Sequence, residues 1–145
     1  NMEIKLNKKK NIQNISSREC FKKLSKEDNS HLVDVRTRPE WLYIGVPNLE
    51  LLQKKTVCVA WQIYPDMQIN ANFESEILDS EIKKQDNIFL ICRSGQRSLN
   101  AAKFLTSRGF TNCYNVIDGF EGNLDYEHHR STIEGWKYHN LPWRQ

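Results

Sequence analysis

Cys92 closes an apolar run, Ile88-Phe89-Leu90-Ile91, and is followed at once by Arg93, Ser94, Gly95, Gln96, Arg97 and Ser98. Beyond them the pattern turns helical, with Leu99, Ala102, Leu105 and Thr106 on one stripe and Gly109 as a stop. A residue between a strand end and a helix start faces backbone N–H groups that have no partner within the helix. The helix macrodipole adds partial positive charge there, and Arg93 and Arg97 add full charges. Such settings lower a cysteine from about 8.5 to roughly 3.5–7.5 and yield the thiolate, which is the nucleophile. A cysteine that only filled a core would not be followed by two arginines, so the spacing assigns Cys92 as the catalytic thiol. Residues 93 to 98 are its anion-binding loop, with Arg93 attracting an anionic donor, Arg97 opening the helix and Ser98 offering a hydroxyl.

The other three cysteines read differently. Cys20 falls on the apolar face of a predicted helix, and Cys58 and Cys113 lie within or at the start of apolar strands without charged neighbours, so all three are assigned to the core. No two cysteines form a CxxC pair and none is spaced from a histidine as zinc ligands are, so neither a metal nor a cofactor is expected. His128 and His129 are adjacent, point apart and read as a solvated loop.

The elements that must position the thiol follow from the patterning. Ser16 with Glu19 makes a capping box for a helix over 17–26. "HLVDVR" predicts a strand over 31–36, and Pro39 opens a short helix over 39–43. "TVCVAW" predicts a strand over 56–61, and Asn72 caps a helix carrying Phe73, Ile77, Leu78 and Ile82. Strands at 87–92 and 113–117 complete the series. Strands apolar throughout are buried on both faces, and strands alternating with helices give a parallel sheet. Ligand sites in such sheets lie at the carboxyl ends of the strands, where both Asp34–Arg36 and Cys92 fall.

The chain of 145 residues, with no repeat and no flexible linker, reads as one domain over 11–145 behind a basic tail over 1–10. Its formal net charge of +3 favours small anionic substrates and is too small and scattered for nucleic acid. No apolar run is long enough for a membrane span. Asn1 precedes Met2, and the charged segment that follows has no apolar core, so Met2 is taken as the start and the protein is expected in the cytoplasm.

Two families use a thiol loop of this type. Cysteine-based phosphatases place five residues between the Cys and the Arg, whereas here only the four residues RSGQ separate Cys92 from Arg97. "CRSGQRS" resembles the loop of rhodanese-type sulfurtransferases. "HLVDVRTRPEW", with Asp34, Arg36, Glu40 and Trp41, is similar to that family's first signature, and "NVIDGFEGN" and "GWKYHNLPW" resemble its closing segment. In place of the family's usual Gly-His-Ile-Pro-Gly-Ala stretch stands "YIGVPNLE". The segment with Trp61, Gln62, Tyr64 and Pro65 is similar to a subgroup of small bacterial single-domain rhodaneses.

The resemblance implies an α/β fold with a five-stranded, mostly parallel sheet flanked by helices on both faces, its fifth strand near 12–15. It also implies a ping-pong sulfurtransferase. Cys92 takes a sulfane sulfur from a small anionic donor such as thiosulfate and passes it, through a persulfide, to a thiol, cyanide or a protein acceptor. The alternatives are a rhodanese-like binding module without turnover, which the intact Cys92 disfavours, and a phosphatase or arsenate reductase, which the loop length disfavours. Among supporting residues, Asp34 is expected to accept loop amides rather than react, and Arg36 to pair with Glu40 and fix the loop. Trp61, Tyr64, Trp136 and Trp143 are candidates either for the pocket mouth or for packing.

Overall fold

The computed structural model describes residues 12–145, so the basic tail over 1–10 lies outside the described residues. Along the chain the elements are strand β1 (Gln13–Ile15), helix α1 (Ser17–Lys26), β2 (Ser30–Asp34), α2 (Arg38–Tyr43), β3 (Val46–Pro47), β4 (Val57–Cys58), β5 (Gln62–Ile63), β6 (Gln68–Ile69), α3 (Phe73–Asp79), β7 (Asn87–Ile91), α4 (Gln96–Ser107), β8 (Asn112–Val116) and β9 (Trp143–Arg144). A short 3-10 turn, Glu50–Leu52, follows β3.

Five strands form one sheet in the order β1-β8-β7-β2-β4. Every pairing in it is parallel. The chain runs outward from β2 to β4, then returns to lay β7 on the other side of β2. The carboxyl ends of β2 and β7 therefore flank the point where strand order reverses, the usual ligand position in open α/β sheets. The predicted fifth strand is β1, and the Ser16 cap is seen as a Glu19 N–H bond to Ser16 Oγ of 3.1 Å.

The two faces of the sheet bury different sets of residues, as the period-two alternation of strands requires. On one face Val33, Ile88 and Leu90 pack with Phe73, Ile77, Ala101, Ala102 and Leu105 of α3 and α4, and Cys92 belongs to this cluster. On the other face Leu32, Phe89, Ile91 and Val116 pack with Cys20 and Leu24 of α1 and with Phe120 and Trp136. β7 is thus covered on both sides, which is why its sequence is apolar without alternation.

Some expectations shift. The strand predicted over 56–61 contracts to β4, a two-residue edge, and Cys58 on it is exposed rather than buried. Pattern alone did not distinguish this edge from a buried strand. Two small antiparallel pairs, β3–β9 and β5–β6, lie apart from the main sheet. On α4 the buried stripe is Ser98, Ala101, Ala102 and Leu105, with Leu99 only half-buried. No helix among the described residues is long and apolar enough to cross a membrane.

Candidate active site

β7 delivers Cys92 to the carboxyl edge of the sheet, buried to 1% exposure. Gly95, at φ +108°, turns the chain into α4 and occupies the cap position, where glycine offers no side chain to the helix amides. The sulfur takes that role. Cys92 Sγ accepts the Gly95 N–H at 3.1 Å and the Ser98 N–H at 3.3 Å. Ser98 is the third residue of α4, the position whose amide a capping side chain ordinarily satisfies. A thiolate at this point meets two amides and the positive end of a twelve-residue helix. The amides bonded to the sulfur are those of Gly95 and Ser98.

The Ser98 hydroxyl, expected as a donor in the loop, lies 3.1 Å from Cys92 Sγ, where either atom can donate. Asn115 Nδ2 donates to Gly95 O at 3.2 Å, which leaves Asn115 Oδ1 to accept the Ser98 hydroxyl at 2.5 Å.

The loop rests on the segment after β8. Phe120 N–H donates to Cys92 O at 2.8 Å, and the amides of Glu121 and Gly122 both donate to Arg93 O at 3.0 Å. A Cβ on Gly119 would lie 2.3 Å from Arg93 O and 2.7 Å from the Ser94 nitrogen. Gly119→Ala is therefore expected to push the loop off its bed, and a loss of Cys92 alkylation selectivity together with a lower melting temperature would register it. Asn115 and Gly119 were not singled out from sequence. The motif "NVIDGF" was the signal, but it did not say what the asparagine and glycine touch.

The ion pairs are exchanged relative to expectation. Arg36 does not pair with Glu40. Its Nε and Nη2 bind the Asp34 carboxylate at 3.0, 3.2 and 2.7 Å, Nη2 also donates to Gly45 O at 2.6 Å, and both side chains are fully buried. Residues two apart after a strand project to the same side, so Arg36 folds back on Asp34 and stacks on Phe120 at 4.3 Å. Asp34 also accepts the Arg36 N–H, as a structural carboxylate would.

Glu40 is instead held by Arg97 in a two-pronged fork, Nη1 to Oε1 at 2.7 Å and Nη2 to Oε2 at 2.9 Å, and it accepts the Thr37 amide and hydroxyl. This fork ties the start of α4 to the start of α2. Burial alone would raise the Glu40 carboxyl, but the Arg97 bonds and charge with those from Thr37 hold it down to about 2. A depressed carboxyl contributes stability above its unfolded value of about 4.3, and the contribution is lost as pH falls through the folded value. The melting-temperature gap between wild type and Glu40→Gln is therefore expected to be widest above pH 5 and to close toward pH 2.

The remaining thiols are kept neutral. Burial and then the Asp118 charge raise Cys20, and burial pushes Cys113 up to about 11. Cys58, on its exposed edge, is still raised to about 12, by partial desolvation and then by Asp34. Trp61 and Trp136 are core residues. Tyr64 is exposed at the rim of a hollow beside Arg93 and Arg97, while Trp143 lies under Lys137 at 3.9 Å. His128 and His129 are exposed. No group of three metal-binding side chains occurs among the described residues.

The family model described as the STR4 middle domain matches residues 12–145. An uncharacterised protein of Rickettsia conorii is 44% identical over 133 residues, covering 92% of this chain and 98% of that protein. The crystal structure of Rv0390 from M. tuberculosis superposes with a TM-score of 0.83 at 42% identity, over 92% of this chain and 97% of the other. Rhodanese-like domain-containing protein 4, chloroplastic, of Arabidopsis thaliana is 25% identical over 139 residues, which are 95% of this chain and 27% of that protein.

Proposed function

The chain belongs to the rhodanese-like family, and from that premise we propose that it is a sulfurtransferase acting through a Cys92 persulfide. Cys92 thiolate attacks the outer sulfur of a donor such as thiosulfate. A Cys–S bond forms, the donor S–S bond breaks, and sulfite leaves with the bonding pair. A nucleophilic acceptor, cyanide or a thiolate, then attacks the outer sulfur of the persulfide. Its new bond to sulfur forms as the Cys92 S–S bond breaks, and the electron pair returns to Cys92 as thiolate.

The observation that carries this reading is the sulfur in the cap position of α4, with the Gly95 and Ser98 amides at 3.1 and 3.3 Å. Those donors are fixed before reaction and stabilise negative sulfur both before attack and after release. Four residues between Cys92 and Arg97 make a loop that closes on one sulfur atom, which fits sulfur transfer better than phosphoryl transfer. The test is intact mass after thiosulfate treatment. A gain of one sulfur, removed by cyanide with release of thiocyanate, is expected. An unchanged mass with every donor in a panel of thiosulfate, polysulfide and organic persulfides would sink the reading.

Arg93 is exposed and makes no ion pair among the described residues, so its charge faces solvent beside the loop. A unit charge pair at 4 Å in water contributes about 1 kcal/mol, and a dianion about twice that. Arg93→Ala should therefore raise KM for thiosulfate by up to about thirtyfold at low salt, less at physiological ionic strength, where screening acts over about 8 Å. KM for an uncharged persulfide donor should change much less. Equal changes for both donors would mean that Arg93 shapes the loop instead.

A further inference from the structure

Beside the loop lies an open hollow of about 470 Å³, whose lining includes Arg93, Arg97 and Arg130 together with Ile44, Tyr64 and Met67. That volume falls in the range of organic-ligand sites, about 300–1,000 Å³, and is several times what a small inorganic anion fills. Five charged side chains line it, and their balance is 3 − 2 = +1, from Arg93, Arg97 and Arg130 against Glu40 and Glu121. Arg97 and Glu40 neutralise each other in their fork. Arg93, Arg130 and Glu121 are left, none with an ion-pair partner among the described residues, so the free charge of the lining is still positive by one.

Arg130 is not a stray surface cation. The loop that carries it is organised by Asp125, whose carboxylate accepts the amides of Glu127 and His129 at 2.9 Å and the Thr132 hydroxyl at 2.6 Å. Ser131 N–H then donates to Glu121 O at 2.7 Å, and Arg130 Nη1 to Gly122 O at 2.7 Å. Gly122 is the residue whose amide supports Arg93 O. Arg130 and the carbonyl behind the catalytic loop are therefore fixed to one piece of backbone.

We propose that this hollow is the acceptor subsite, and that it takes a small organic thiol bearing one or two carboxylates, with Arg130 as the specificity-determining residue. The proposal rests on the sulfurtransferase reading above. The carboxylate is held between Arg130 and Arg93, the chain lies on Tyr64, Met67 and Ile44, and the thiol, having lost its proton to solvent, reaches the persulfide over Arg93. Its sulfur bonds to the outer sulfur, the Cys92 S–S bond breaks back to thiolate, and the acceptor leaves as its own persulfide with no net oxidation.

The test uses three thiols of rising charge, 2-mercaptoethanol, 3-mercaptopropionate and mercaptosuccinate, with thiosulfate as donor, on wild type and on Arg130→Gln. The glutamine keeps a donor for Gly122 O and removes the charge. The expected result is a KM that falls at least tenfold from the neutral thiol to the dicarboxylate in wild type, with the ratio collapsing to within about twofold in Arg130→Gln and recovering in part in Arg130→Lys. A wild type that does not discriminate, or a variant that keeps the full preference, overturns the proposal, and so does transfer confined to protein thiols. Binding of S-methylmercaptosuccinate, which cannot accept sulfur, is measured by calorimetry in parallel. Arg130-dependent binding without any sulfur transfer would uphold the subsite and sink the sulfurtransferase reading, whereas transfer without such binding would sink the subsite alone.

Discussion

Cys92→Ser is expected to reduce sulfur transfer by on the order of 10³-fold or more, as removal of a nucleophile does, while leaving the melting temperature close to that of wild type. The two halves of this result have one cause. Sγ serves α4 as a cap, accepting from Gly95 and Ser98. Serine is among the best capping residues, so its hydroxyl can take over those two bonds. It stays protonated where a thiolate is needed, and oxygen forms no persulfide. Cys92→Ala should separate the roles, since it loses both chemistry and cap, at a cost in stability of about 1 kcal/mol. Cys58→Ser should keep activity and stability, because Cys58 is exposed on the edge strand, with β2 standing between it and β7. An inactive but folded Cys58→Ser would instead require a two-thiol mechanism. A Cys92→Ser protein as active as wild type would remove Cys92 from the chemistry.

What was legible in the sequence is what local chemistry determines. The apolar run into Cys92, the shortness of the loop and the helix behind it all depend on neighbours in the chain, and the structure puts the sulfur on helix amides accordingly. The parallel sheet was legible because strands buried on both faces lose their alternation, as β7 does. The ion pairs were not. Arg36 and Glu40 are close in sequence, which is why a local reading pairs them. Glu40 in fact meets Arg97, 57 positions away, and only the packing of α2 against the start of α4 brings them together. Asn115 escaped notice for the same reason, since its partners Gly95 and Ser98 lie 20 and 17 positions away. Cys58 failed differently. "TVCVAW" is apolar enough for a central strand, but only two of its residues pair, at the sheet's edge.

The second large effect concerns stability. Asp34→Asn is expected to cost about 3 kcal/mol or more, because it leaves the Arg36 charge buried without its counter-ion. Both side chains are fully buried, and the carboxylate receives three guanidinium bonds and the Arg36 amide. Arg36 Nη1 already lacks a hydrogen-bond partner, so the site has no reserve donor or acceptor to absorb the loss. For a domain of this size 3 kcal/mol is a large part of a total near 5–15 kcal/mol, and the melting temperature should fall by about 10 °C. The activity per folded molecule should fall as well. Arg36 holds Gly45 O and stacks on Phe120, and Phe120 in turn supports Cys92 O. The double variant Asp34→Asn/Arg36→Met separates charge from shape. With no buried charge left, it should be more stable than Asp34→Asn alone, although the Gly45 bond is gone. If Asp34→Asn costs less than about 1 kcal/mol, or if the double variant is the sum of the two singles, the pair is not the buried, mutually dependent unit that its geometry describes, since independent sites add and contacting ones do not.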